Sequence, residues 1–421
     1  MRAAFAIVVF TAVSAIAQAQ NRATVVYPTG IWPDDGHNVS VAASGGGTVV
    51  LKAVNTAGVP TAFNFGDQFI DRCVVLLDTA DVKIIGERMG RSRTTIHGGC
   101  SAFRVHGPIA VTIQGIDFDG PFADAIEVDA TTGADIIDNH ILSVRPVRFF
   151  FGTYADGFDI FGIDSQALSG TIRLLGNTIE NLAADFEAGV QVDDNVFADI
   201  VISGNDVTIA QTPGTGRIES DGLLVIRCHR PARIEGNHVF VGPNFAYDGI
   251  AIGGDSVAPF RVTGNSVVSY SPEADGIVLI GGFFNDGVAG AVVDENSVEM
   301  HDSQFGAISA YGQVTDSEIR ANRISGDSAW AFGAQGFGFV GSSNRFLQNN
   351  LARHTSTLAD VVFDAFTHDN IVDGMCDSFI DDGTNNVITC RGHGSSHGHA
   401  PPWRARGLTA HPVRTATQIV R

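Results

Sequence analysis

The sequence predicts an all-β fold, a parallel β-helix of about ten short coils. Two repeats that run in phase carry this reading. No long amphipathic helical stretch separates them, so alternating strand-helix units are excluded. The first repeat is a strand-like piece ending in asparagine: Asn139, Asn177, Asn205, Asn237, Asn265, Asn296, Asn322 and Asn349, at steps of 26 to 38 residues. The second reads Asp-Gly-apolar-x-apolar and begins at Asp156, Asp221, Asp248 and Asp275, with weaker copies from Asp124, Ala188 and Gly306. Each unit alternates apolar and polar residues and then turns at Gly, Asn or Asp. A period of two marks short strands. One coil cannot bury its own apolar face, but a stack of coils can, with like strands paired in parallel about 4.8 Å apart.

Taken in order, residues 1–19 read as a signal peptide. Arg2 gives the positive start, residues 3–17 are small or apolar, and Ala17-Gln18-Ala19 has the small-x-small form of a cleavage site. The run is too short to span a bilayer comfortably. Residues 20–80 make the N-terminal cap and first coil, with a short capping helix at residues 38–44. Residues 81–390 form the β-helix. Residues 391–421 form a flexible basic tail with five Arg, no acid and His393, His397, His399 and His411.

Composition narrows the function. The formal net charge is −20, and without Arg2 and the five tail arginines the body of the chain stands at −26. Only two lysines occur, Lys52 and Lys83. A body of this charge is not a general nucleic-acid binder, and it repels acidic polymers unless a cation such as Ca²⁺ mediates. Disorder is excluded by the 44% hydrophobic content. Five cysteines in an exported chain suggest two bridges and one left over. Cys73 and Cys100 stand 27 residues apart and Cys376 and Cys390 14 apart; Cys228 is the odd one and reads as a buried thiol, and spacing alone leaves the pairing open.

The pieces Gly45-Gly46-Gly47-Thr48-Val49-Val50-Leu51, Val82-Lys83-Ile84-Ile85-Gly86 and Val111-Thr112-Ile113-Gln114-Gly115-Ile116 resemble the first strand and early coils of right-handed parallel β-helix proteins of the pectin-lyase-like superfamily. The resemblance spans residues 24–390. It implies a right-handed coil and a hydrogen-bonded ladder of stacked asparagines, whose tolerance of left-handed backbone suits the turns. It leaves function open among lyases, hydrolases, epimerases, adhesins and phage spikes.

On the Asp-Gly strands, residues 126, 128, 158, 160, 190 and 192 should face the core. One outward column is then Glu127, Asp159, Gln191, Leu224, Ala251 and Val278, and a second is Asp129, Phe161, Asp193, Ile226, Gly253 and Ile280. The acids gather in three consecutive coils and give way to apolar residues beyond. Glu127, Asp129 and Asp159 are candidate ligands for Ca²⁺, a hard cation suited to carboxylates. Asp156, Asp159, Asp193 and Asp194 are candidate catalytic carboxylates, spaced for paired-acid hydrolysis or for cation-assisted elimination. Each Asp of the Asp-Gly motif can also accept backbone N–H groups of its own turn.

Tyr154-Ala155-Asp156-Gly157-Phe158-Asp159 resembles the Asn-Thr-Asp-Gly-x-Asp strand of polygalacturonase-type glycoside hydrolases, which implies catalysis by Asp156. The family's paired Asp on the next coil is replaced by Glu187-Ala188-Gly189. Its Gly-His-Gly occurs only as Gly392-His393-Gly394, and its Arg-x-Lys is absent.

The loop at residues 227–233 offers His229 as base and Arg227 and Arg230 as clamps for substrate carboxylates, or else charge neutralisation of an acidic edge. The longest repeat step contains Arg145, Arg148 and Phe150, which either line a sugar or pack the loop onto the coil. The expectation is a secreted monomer that binds a polysaccharide along the helix side and cleaves it, with no nucleic acid and no membrane insertion. The alternative is a non-catalytic surface or structural solenoid.

Overall fold

The computed structural model describes residues 23–66, 74–149, 152–161, 168–180, 186–193, 197–209, 220–243, 248–253, 259–281, 287–336 and 340–391. The segment 1–19 read as a signal peptide, the tail from residue 392, Cys73, Phe150 and Asp194 lie outside them. The chain is 62% strand and 4% helix, coiled into a β-solenoid of about ten turns.

Three long parallel sheets form the walls. The first has fourteen strands and runs from Thr24–Val26 through Gly47–Leu51 and Val82–Gly86 to Val387–Cys390. The second, of twelve, runs from Phe63–Gly66 to Asn350–Ser356. The third, of thirteen, includes Ser101–His106, Asp124–Ala130, Gly152–Phe161, Phe186–Asp193, Ser220–Ile226, Ile250–Gly253, Ile277–Gly281 and Gly306–Gly312. A four-stranded sheet forms an extra wall in the later coils. Two short antiparallel pairings interrupt the pattern. One of them, Val147–Phe149 against Gly152–Phe161, is the excursion that lengthens the longest repeat step.

The capping helix spans Asp34–Ser44, four residues longer at its start than the sequence suggests. Buried Asp35 explains the extension. Its carboxylate accepts the backbone N–H groups of Thr29, Gly30 and Asn64 at 2.7, 2.9 and 2.9 Å, tying the helix start to the incoming chain and to the first coil. Cys376 and Cys390 are bridged, Cys100 is disulfide-bonded, and Cys228 is a free thiol in the core. Among the described residues no helix is long and apolar enough to cross a membrane.

The asparagine ladder sets the corner between the first and second sheets. The Oδ1 of Asn237 accepts both the backbone N–H and the Nδ2 of Asn205 at 2.9 Å. Asn237 Nδ2 in turn donates to Asn265 Oδ1 and to the carbonyl of Ile202, both at 2.9 Å. The same pattern runs from Asn139 to Asn349. The left-handed residue is not the asparagine but the one before it: Asp138, Gly176, Gly204, Gly236, Gly264, Glu295, Ala321 and Gln348 all have φ between 49° and 64°. That residue makes the turn and so aims the next side chain into the wall. A second, shorter ladder runs through Ser317, Asn344, Asn370 and Asn386 along the extra wall.

The Asp-Gly motif has its own constraint. A Cβ on Gly189, Gly222, Gly249 or Gly276 would stand 2.2 to 2.4 Å from a Cγ1 of Val207, Val239, Val267 or Val298 on the second sheet. These glycines therefore point inward, as does the apolar residue after each. Two consecutive inward positions break the strict alternation, so the preceding Asp shares the outer face with the residue three places on. The core itself is one continuous cluster inside the walls. It holds Ile126, Val128, Phe158, Ile160, Val190 and Val192, as the alternation requires, together with Cys228.

Two substitutions separate these constraints. Asn237→Ala strips the buried N–H of Asn205 of its acceptor and should cost about 3 kcal/mol. Gly236→Ala, at φ +62° with no atom within 4 Å of the new methyl, should cost only about 1 kcal/mol of backbone strain. Urea midpoints at constant slope measure both; equal losses would contradict the ladder's role.

Candidate functional site

The third sheet carries the acidic residues, and its register makes columns of them. Glu127 pairs with Asp159, Asp159 with Gln191, Gln191 with Leu224, Leu224 with Ala251 and Ala251 with Val278. Phe161 pairs with Asp193 in the next column. These residues face away from the core as expected, yet all but the half-buried Phe161 are buried, with Glu127 at 5% and Asp159 at 0% exposure. Further along, Leu224, Ala251, Val278, Tyr311, Trp330 and Val362 join a second hydrophobic cluster outside the wall. The outer face of this sheet is thus a covered surface, acidic at one end and apolar at the other.

At the acidic end, Asp124 and Asp156 are direct register partners, and Asp159 follows three residues after Asp156. The inward turn of Gly157 places both acids of its strand on the outer side. Carboxylate oxygens of Asp124, Asp156 and Asp159 all lie within 4.8 Å of one another, and all three residues are buried. Ser101 Oγ stands 3.4 Å from Asp124 Oδ2 and 3.3 Å from Glu127 Oε2, linking Glu127 to the trio. Three carboxylates so close and so shielded from water require countercharge, either a shared proton or a cation.

The neighbouring positions are cationic. Arg104 Nε donates to Asp129 Oδ2 at 2.8 Å, and its Nη2 lies 3.5 Å from Glu127 Oε1. His106 Nδ1 lies 2.8 Å from Asp129 Oδ1. Both oxygens of Asp129 are therefore engaged by basic groups. Of the metal ligands expected from sequence, only Asp159 belongs to the tight trio; Asp124 and Asp156 complete it. Arg104 and His106 went unnoticed in the sequence. The signal was present, since Arg104-Val105-His106 alternates on the same outer face one coil before Glu127 and Asp129.

The remaining candidates spread out. Arg227 binds Asp193 through Nε and Nη2 at 2.9 and 2.6 Å. Arg230 binds Asp199 at 2.8 Å, on the first sheet's side of the corner. His229 stacks on Phe197 with ring centroids 4.6 Å apart. The basic loop thus pairs with its acidic neighbours, and burial pushes the Cys228 thiol well above its ordinary pKa, which leaves it unreactive. Arg145 caps the Phe122 ring at 4.5 Å and donates to the Gly120 carbonyl, bracing a corner. Arg148 lies on the Val147–Phe149 excursion.

Further along the Asp column the carboxylates bond the next coil rather than their own turn. Asp221 Oδ1 accepts the N–H of Asp248, and Asp248 Oδ1 that of Asp275, at 3.2 and 3.1 Å. Asp275 closes the series with bonds from Gly306 N–H at 2.9 Å, Ser309 Oγ at 2.5 Å and Tyr311 OH at 2.9 Å. Burial raises the Asp275 carboxyl from 3.8 to about 7. A group raised in the folded state stabilises fully below its unfolded pKa, and that contribution is lost as pH rises through the folded value. Stability should therefore fall between pH 3.8 and about 7. Asp275→Asn should flatten that slope in denaturant titrations; an unchanged slope would assign it elsewhere.

No protein-family model matches the sequence, and no curated protein matches it. Solved structures do. The Dettilon tailspike protein aligns with a TM-score of 0.50 at 14% identity, covering 87% of this chain and 68% of that one. The A-module of the mannuronan C-5 epimerase AlgE6 from Azotobacter vinelandii aligns at 0.44 and 13%, covering 88% and 93%. DFA-IIIase from Arthrobacter chlorophenolicus A6, solved without its lid in complex with GF2, aligns at 0.42 and 12%, covering 86% and 99%. At these identities the likeness concerns the fold, and with the topology above it makes the chain a right-handed parallel β-helix.

Proposed function

We propose that the chain is an exported carbohydrate-active protein that binds a polysaccharide at the acidic end of the third sheet, against the accessible side chains of Arg104 and His106, and cleaves it there, with a calcium ion held by Asp124, Asp156 and Asp159. The convergence of these three buried carboxylates within 4.8 Å carries the reading. The fit to the ion is good. Calcium takes oxygen ligands at about 2.3–2.6 Å, so two oxygens on one ion lie at most about 5 Å apart. The trio contains only carboxylates, a donor set unlike that of zinc. A bound calcium would hold a sugar carboxylate and increase the acidity of the proton on the adjoining carbon.

The chain's own groups supply the rest. Asp129 accepts the Nδ1 proton of His106, so in the neutral ring Nε2 is the bare acceptor. The His106 side chain is 53% exposed on the same face. Nε2 takes the proton from C5 of a uronate, the C–H electron pair becomes the C4–C5 double bond, and the C4–O bond breaks as the imidazolium of His106 returns that proton to the departing oxygen. Arg104 fixes Asp129 and Glu127 and thereby the orientation of His106. Bridged cysteines fit an oxidising compartment outside the cytoplasm.

One observation favours a second reading. Asp124 and Asp156 are register partners with carboxylate oxygens within 4.8 Å of each other, inside the reach of the about 5 Å pairing of retaining glycosidases. Incubation with pectin, alginate and neutral glycans, with and without chelator, distinguishes the two. Unsaturated uronate absorbance that disappears on chelation, and falls about 10²–10⁴-fold in His106→Ala, is the expected result. Reducing ends without that absorbance point to the hydrolytic pair. If no glycan is cleaved, and Asp156→Asn and Asp159→Asn leave glycan binding unchanged, the chain is a non-catalytic solenoid.

A further inference from the structure

The outer face of the second sheet carries a groove that the third-sheet site does not use. The groove is open, about 390 Å³ in volume, and lined by Ser297, Glu299, Arg323, Ser325, Gly326 and Arg353. Register places them together: Ser297 pairs with Arg323, Glu299 with Ser325, and Ser325 with Arg353. Both arginines are exposed, and neither takes part in an ion pair among the described residues. In a chain with 46 acidic and 26 basic residues, two adjacent arginines without an acidic partner are unexpected. Several other exposed arginines are neutralised locally, as Arg173 is by Asp135, Arg230 by Asp199 and Arg391 by Asp373. Arg233 and Arg261 on the first sheet form another register pair without an acidic partner among the described residues, but they line no such groove with hydroxyl and carboxylate groups.

We propose that this groove is a second saccharide-binding site, on a different wall from the carboxylate site, and that it takes a sugar residue bearing a carboxylate. Two guanidinium forks match a planar carboxylate. Ser297, Ser325 and Glu299 offer donors and acceptors for ring hydroxyls. Glu299 also disfavours a ligand of dense negative charge such as a nucleic acid or polyphosphate, and so favours sugar units that each bear one carboxylate among their hydroxyls. The same Glu299 holds His301 Nε2 at 3.0 Å, and the His301 ring stacks on the half-exposed ring of Tyr270 with centroids 4.1 Å apart. Phe240 extends the stack at 5.8 Å. The groove is thereby continued across earlier coils by a rigid aromatic edge along which further sugar units can lie.

The test uses the full chain carrying Asp156→Asn and Asp159→Asn with chelator present, so that the carboxylate site is silent. Calorimetric titration with tetragalacturonate and with a neutral tetrasaccharide should show binding of the acidic ligand only, weakening with salt. Adding Arg323→Gln and Arg353→Gln should weaken it at least about tenfold, the scale of one charge-assisted hydrogen bond. Ser325→Tyr, which fills the groove and keeps both arginines, should produce the same loss, which guards against a folding effect of the double change. Equal binding of the two tetrasaccharides, or unchanged affinity in both groove variants, would overturn the second site. Loss of all binding in the Asp156→Asn/Asp159→Asn background would also overturn it, while leaving the third-sheet reading intact.

Discussion

Everything in this molecule depends on the coils staying in register, and the asparagine ladder enforces it. A parallel stack has no intrinsic length marker; each coil differs from the next by 26 to 38 residues. The ladder provides a fixed point once per turn. A left-handed residue turns the chain, and the following amide then bonds a backbone N–H, a side chain and a main-chain carbonyl of the preceding coil and the side-chain oxygen of the next. Slippage by one residue would leave several buried polar groups unsatisfied at every level of the stack. The described excursion at Val147–Phe149 accordingly lies away from the ladder, beside the third sheet. Column positions on that sheet survive differences in loop length, and three acids from two coils can meet.

Much of this was legible in the sequence because a repeat samples the same environment many times. The spacing of Asn139 through Asn349 and of the Asp-Gly starts gave the coil and the correct register, including the column from Glu127 to Val278. Local directions were less legible. Strict alternation would turn Asp156 inward, and only the crowding between Gly157 and its neighbours shows why it faces out with Asp159. Likewise, the left-handed position falls on chemically diverse residues, Glu295, Ala321 and Gln348 among them, so identity alone does not betray it. The burial of the outer column was not legible either. It depends on side chains from other coils, such as Ser101 and Trp330, that no local pattern reports.

Electrostatics explains how so acidic a chain holds together. Many of its acids are used as backbone acceptors rather than left as free surface charge. Asp35 secures the cap, Asp221 and Asp248 accept N–H groups one coil away, and Asp129 and Asp193 are bound by arginines. Cationic side chains are then sparse enough that their placement is informative, whether as the Arg104 bridge beside the carboxylates or as the unmatched pair at Arg323 and Arg353.

The disulfide between Cys376 and Cys390 has a bearing on assembly. A stack of parallel strands ends in an open edge that could template another chain, and here the last coil shows apolar side chains at its surface, with Phe379 51% and Val387 55% exposed. At the opposite end the helix Asp34–Ser44 lies over the first coil as a plug. The far end has no such plug among the described residues, but its final two strands in the first sheet pair as far as Gly374 with Cys390 and are tied just beyond by the Cys376–Cys390 bridge. A stapled terminal coil cannot easily peel away to exchange with a neighbour. The bridge therefore works against end-to-end polymerisation, keeping a structure that is repetitive in one dimension finite in length.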